Sequence, residues 1–168
     1  MKSSLDTLAK LGEPPLREIS DNTLQADMMK MNEILQNTPD ESILNLHENK
    51  AKKIFITLKL YLNLGHVLHF VKPSLIGAVS LRMVELTMNH GLVPFSAMAF
   101  GYYGEALVAN GSVKEGCRLG TYPTRMIMYA ISSFIHTYTC IYINENGNIY
   151  WCINTIQYNV TLYNQWHQ

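Results

Sequence analysis

Charge is sparse in this chain. Charged residues occupy 15% of its 168 positions, and thirteen basic residues cancel thirteen acidic ones. A nucleic-acid binder carries a basic surplus, because neutralising phosphates releases counterions and drives binding. The neutral balance argues against DNA, RNA or an anionic membrane surface as the main partner. Cysteine is also scarce. Cys117, Cys140 and Cys152 are widely spaced and form no CxxC pair, so neither a zinc knuckle nor a dithiol redox motif can be built locally. Three reduced thiols in a cytoplasmic protein is the expectation. Met1 to Pro14 lacks a long apolar run and carries acidic residues early, so no secretory signal is expected. The sequon Asn159-Val160-Thr161 then has no consequence. The chain contains no GxxxxGK[ST] phosphate loop and no HRD, DFG or Gly-rich kinase set. No catalytic residue, no cofactor and no metal are expected.

Helix signals dominate up to about Leu119. Asp21 or Asn22 can cap a helix whose apolar stripe is Leu24, Met28, Met31 and Leu35. Thr38-Pro39-Asp40-Glu41 reads as a capping box with proline at the first helical position, and Ile43, Leu44 and Leu46 follow. Lys50 to Leu64 places Ala51, Ile54, Phe55, Leu58 and Tyr61 on one face. Lys72-Pro73-Ser74 opens a helix to about Asn89, with Leu75, Ile76, Val79, Met83, Leu86 and Thr87 as its buried stripe and Gly91 at a left-handed cap. Pro94 starts another, running to Ala109 and broken by Asn110-Gly111, and Gly111 to Gly120 begins one more. Gly101 and Gly104, with Ala97 and Ala106, predict close helix–helix approach. Each glycine in an exposed helix would otherwise cost about 1 kcal/mol relative to alanine.

From Thr121 the character changes to Ile, Tyr, Asn and Thr, with Arg125 the last basic residue apart from histidine and Glu145 the only acid. Three regions are therefore expected: an N-terminal extended segment over 1–20, a helical-repeat scaffold over 21–120 and a divergent tail over 121–168. The tail reads as irregular or weakly structured, and as added sequence of the kind AT-rich non-coding DNA encodes. Two other readings attach to it. Met126 to Ile143 is uncharged and of nearly spanning length, a potential membrane anchor. Tyr138 to Ile143 and Ile149 to Ile153 can instead pair as strands about Glu145-Asn146-Gly147-Asn148.

Five stretches taken in order carry a family resemblance. They are Leu11-Gly12-Glu13-Pro14, the run Asp40 to Leu46 (DESILNL), the run Leu75 to Gly91 (LIGAVSLRMVELTMNHG), the run Ser96 to Gly104 (SAMAFGYYG), and Gly111 to Gly116 (GSVKEG). Over roughly residues 10–120 the chain resembles the helical, tetratricopeptide-like middle region of large signalling proteins that also carry AAA-type predicted ATPase and protein-kinase or hybrid histidine-kinase modules. The resemblance implies a scaffold between nucleotide-binding and kinase parts, here a fragment without either chemistry. No histidine lies in an acidic phosphoacceptor helix, and after Gly120 the run TYPTRMIMYAISSF departs from the family's pattern.

The fold class expected is all-α: antiparallel helix pairs in a short tetratricopeptide-like array. Its function is expected to be a non-catalytic scaffold or interaction module, whose partner is another protein or neighbouring domains of a larger chain. A small membrane-tethered helical protein, anchored through 126–143, is the alternative. Phe95, Phe100, Gly101, Tyr103 and Gly104 are the candidate residues, as a helix-packing seam or partner groove. His66 and His69 share a helical face, but with no carboxylate or thiol close in sequence they read as surface or partly packed side chains rather than metal ligands. His90 suits a helix C-terminus. Tyr102 reads as seam core, and Glu105 as part of an exposed helical face.

Overall fold

A computed structural model describes residues 2–18, 20–123, 125–126, 138–143 and 149–154. Among these lie seven α-helices: α1 (Lys2–Lys10), α2 (Asn22–Asn37), α3 (Asp40–Leu44), α4 (Lys52–Val71), α5 (Ile76–His90), α6 (Ser96–Ala109) and α7 (Val113–Gly120). Two strands follow, β1 (Tyr138–Ile143) and β2 (Ile149–Asn154). The body is all-α, as its helical periodicity predicts.

The first twenty residues are not the extended segment expected. Leu5 and Leu8 stand one helical turn apart, α1 packs on α4, and Leu8 is buried. Asp21 caps α2 as anticipated, its side chain accepting from the Thr23 N–H at 2.8 Å. The capping box at Thr38 does not form. The Thr38 hydroxyl turns back to donate to the Ile34 carbonyl at 2.7 Å, and α3 starts with no side-chain cap. Asp40 and Glu41 are drawn instead into contacts with the far end of the chain, described below.

α4 outruns its expected end at Leu64 by seven residues, continuing to Val71. Gly65 lies within it, and the ring of Tyr102 occupies the place where a Gly65 side chain would begin. The buried stripe is Thr57, Leu58, Tyr61, Leu64, Gly65 and Leu68. Ala51 precedes the helix and is exposed, and Phe55 packs partly buried against Phe95 at 5.1 Å.

α5 and α6 form the interior. Ten of the fifteen residues of α5 and eleven of the fourteen of α6 are buried, which explains why neither shows a clean polar face. α5 packs on α4, α6 and α2, and α6 on α7. Single short connectors bring each of these helices back against the one before. At the α5–α6 turn, the Ser96 hydroxyl accepts from the Val93 N–H and from the Thr87 hydroxyl, satisfying two buried polar groups. Gly91 ends α5 at the positive φ (93°) expected of it, with the His47 carbonyl directly against its Cα.

The helical body extends past Gly120. Tyr122, Pro123 and Met126 are buried, and Tyr122 packs on Phe100 with ring centroids 5.2 Å apart. The described part of the tail beyond is not irregular: β1 and β2 pair antiparallel, Tyr138 opposite Asn154 and Ile143 opposite Ile149. Ile- and Tyr-rich segments fit a pleated ladder better than a helix. The last six residues of the stretch 126–143 are thus strand, while residues 127–137 and 144–148, where the turn about Glu145-Asn146-Gly147-Asn148 is expected, lie outside the described residues.

Candidate functional site

The two outer turns of α4 are unlike the rest of the body. Their inner side meets α6 in two steps. Tyr102 lies over Gly65 and edge-on to His66, with ring centroids 6.0 Å apart. One turn along both helices, His69 Nδ1 stands 3.6 Å from Glu105 Oε1. That separation is an ion-pair distance rather than a hydrogen bond. The outer side of the same turns carries Val67, Phe70 and Val71, exposed by 44%, 87% and 66%. Burying a phenylalanine normally contributes about 1.5–3 kcal/mol. Here that contribution is left unused on the surface.

Glu105 is the residue whose position sequence periodicity misplaced. It is not on an exposed face: its side chain retains 16% exposure, and Oε2 is buried with no hydrogen-bond partner among the described residues. Burial raises its carboxyl above the ordinary carboxylate range, and the positive charge available at His69 partly offsets this. His66 is an exposed residue whose ring meets the edge of Tyr102, and partial desolvation there, then the neighbouring His69, holds it below its ordinary value. The phenol of Tyr102 is pushed up by burial and by Glu105. His66 and His69 do share a face, and Glu105 is the carboxylate that no nearby sequence supplied. Among the described residues, however, no group of three or more His, Cys, Asp or Glu is arranged to hold a metal ion.

The expected groove residues are inside the body. Phe100, Gly101, Tyr103 and Gly104 are buried, so they serve helix packing and offer no open groove. Tyr103 reaches across to donate its hydroxyl to the Met28 carbonyl at 2.7 Å, tying α6 to α2. Gly101 makes room for Pro123, and Gly104 for the backbone of Gly116. Phe95 keeps partial exposure against Phe55.

Two charged clusters brace the body at either end. Glu13, from the Leu11-Gly12-Glu13-Pro14 stretch, is 6% exposed, accepts from Arg82 Nε at 2.7 Å and from the Tyr61 hydroxyl at 2.9 Å. Arg82 also bonds Glu85 at 2.9 Å. At the other end, Asp40 accepts from Arg118, from the Tyr122 hydroxyl at 2.7 Å and from Arg125 at 3.0 Å. Arg118 further bonds Glu115 and the Leu35 carbonyl, and Arg125 bonds Glu41. Every charge in these clusters is committed to another, which suits bracing better than catalysis. An open notch of about 610 Å³ lies between Gln36 and Gly111–Glu115, and its one acid, Glu115, is already paired with Arg118.

These features define a helical body with an apolar surface face. No family model, no curated protein and no solved structure matches the chain.

Proposed function

We propose that the chain is a non-catalytic helical scaffold or interaction module that positions a neighbouring helix through the outer face of α4. The observation that carries this reading is Phe70, 87% exposed between Val67 and Val71 at the end of a twenty-residue helix. Contiguous exposed apolar side chains on a packed body mark contact surfaces. The successive packing of α4, α5, α6 and α7 is the helix stacking that a tetratricopeptide-like scaffold would use, and the proposal takes the resemblance to the middle region of signalling ATPases and kinases as its setting. In that setting the neighbour is a module of a larger cytoplasmic chain.

A membrane-tethered reading attaches to α4 as well, at a segment other than the 126–143 anchor expected from the sequence. Among the described residues α4 is the one helix long and apolar enough to cross a bilayer, although a third of that span is buried inside the body. Alkaline carbonate extraction of cells expressing the chain, alone and as Phe70→Asp, separates the two. The scaffold reading predicts release of the wild-type chain into the soluble fraction. It also predicts that Phe70→Asp keeps its helical circular dichroism and loses co-elution with its partner on gel filtration. Retention in the membrane pellet contradicts it.

A further inference from the structure

Two of the three cysteines are register partners. Cys140 on β1 stands opposite Cys152 on β2 in the antiparallel ladder. Residues 141–151 separate them in the sequence, so their spacing carries no CxxC signal and only the strand pairing relates them. Cys117, the third, lies half-buried on α7. We propose that Cys140 and Cys152 are an oxidative modification site, a thiol pair that closes to a cross-strand disulfide on meeting a small disulfide such as oxidised glutathione. The site is independent of the α4 contact face.

Backbone geometry carries the argument. Directly opposed residues of an antiparallel pair have Cα atoms about 4.5 Å or 5.5 Å apart, according to which of two alternating positions they hold. A disulfide takes Cα separations of about 4.4–6.8 Å. Both alternating positions fall inside that range, so closure needs no change of register whichever one the pair occupies. Opposed residues also share one face of the ladder, because the faces alternate with period two along both strands. A slip of one residue would set Cys140 opposite Trp151 or Ile153 and abolish the pairing.

The chemistry balances with no further group. The thiolate of one cysteine attacks a sulfur of the small disulfide, forming a mixed disulfide and releasing one thiol. The second cysteine attacks the protein sulfur of that mixed disulfide, forming the cross-strand bond and releasing the second thiol. Two electrons pass from the pair to the small disulfide. The two protons that the cysteines lose are taken up by the released thiols.

Closure acts on the hairpin. A two-stranded ladder on its own is marginal in water, and β1 is the strand that meets α7 and α6. A disulfide across the ladder closes a short loop and restricts the chain when the strands are unpaired. Oxidation therefore strengthens the ladder beside the helical body, and reduction removes that constraint. In a reducing compartment the pair stays as two thiols.

The test equilibrates the full chain with glutathione buffers of graded oxidation, under native conditions and in concentrated urea. Free thiols are then blocked and the chain is cut at Glu145, the one acid between the two cysteines. Mass spectrometry should find the Cys140 and Cys152 fragments joined until reductant is added, with Cys117 blocked as a free thiol. The native chain should close at a ratio of oxidised to reduced glutathione roughly tenfold or more below that needed in urea, because the register raises the effective concentration of one thiol at the other. Cys117→Ser should leave that difference unchanged. Equal midpoints in the native and unfolded chain would overturn the proposal. So would a link from Cys117, a link between two chains, or glutathione adducts that persist on Cys140 and Cys152 without joining them.

Discussion

Gly104 and Gly116 meet backbone to backbone across the α6–α7 seam. A side-chain carbon on Gly104 would lie 2.7 Å from the Gly116 carbonyl oxygen, and one on Gly116 would lie 2.5 Å from the Gly104 oxygen. Both distances are too short for any carbon, and the obstacle is main chain, which cannot swing aside. Gly104→Ala and Gly116→Ala should each destabilise the body by about 1–3 kcal/mol by overpacking, even after alanine's higher helix propensity is credited. Urea denaturation followed by circular dichroism measures this. A neutral or stabilised Gly116→Ala would show that the two helices do not approach this closely.

Gly91 predicts a larger loss. Its φ of 93° disfavours any side chain, and a Cβ there would sit 2.3 Å from the His47 carbonyl oxygen. Gly91→Ala should cost more than about 3 kcal/mol, the sum of left-handed strain and a main-chain clash. A much smaller loss, read as a slight change in denaturation midpoint, would mean the 47–49 strand-like contact with Leu92 is not as close as described.

The Glu13 cluster separates pairing from hydrogen bonding. Glu13→Ala leaves Arg82 with Glu85 alone and should cost about 3 kcal/mol, in the range found when one partner of a buried ion pair is removed. Tyr61→Phe removes one hydrogen bond to the same carboxylate and should cost about 1 kcal/mol. Equal losses in the two variants would contradict the arrangement.

Asp40 makes an acid-side prediction. Burial opposes its charge, but hydrogen bonds from Tyr122, Arg118 and Arg125 outweigh burial and hold the carboxyl below its ordinary 3.8. A depressed carboxylate stabilises the fold above its unfolded value and loses that contribution as pH falls through the folded one. Asp40→Asn should therefore be less stable than wild type at pH 7, with the gap closing below pH 3.8. Thermal melts at pH 7, 5, 4 and 3 would show it, and a gap that stays constant across that series would contradict it.

Local periodicity made much of the fold legible. The Asp21 cap, the Leu24–Met28–Leu35 stripe, Gly91 and the close approach at Gly104 all follow from signals within a few residues of each other. What escaped depends on partners distant in sequence. Glu105 is mostly covered and has His69 opposite it, and Asp40 serves Arg118, Tyr122 and Arg125 rather than its own helix. Of the two readings of Phe100, Gly101, Tyr103 and Gly104, helix packing agrees with their burial and an open groove does not, since neighbouring helices close over them. The surface Phe70 had no signal at all: an apolar run on a long helix looks the same whether it faces in or out.

The most direct measurement is site-specific photocrosslinking from position 70 in living cells, with position 59, an exposed lysine on the same helix, as control. An interaction face on α4 predicts a discrete protein adduct from position 70 that is absent from position 59 and lost with Val67→Asp. Equal labelling from both positions, or adducts formed chiefly with lipid, would contradict it.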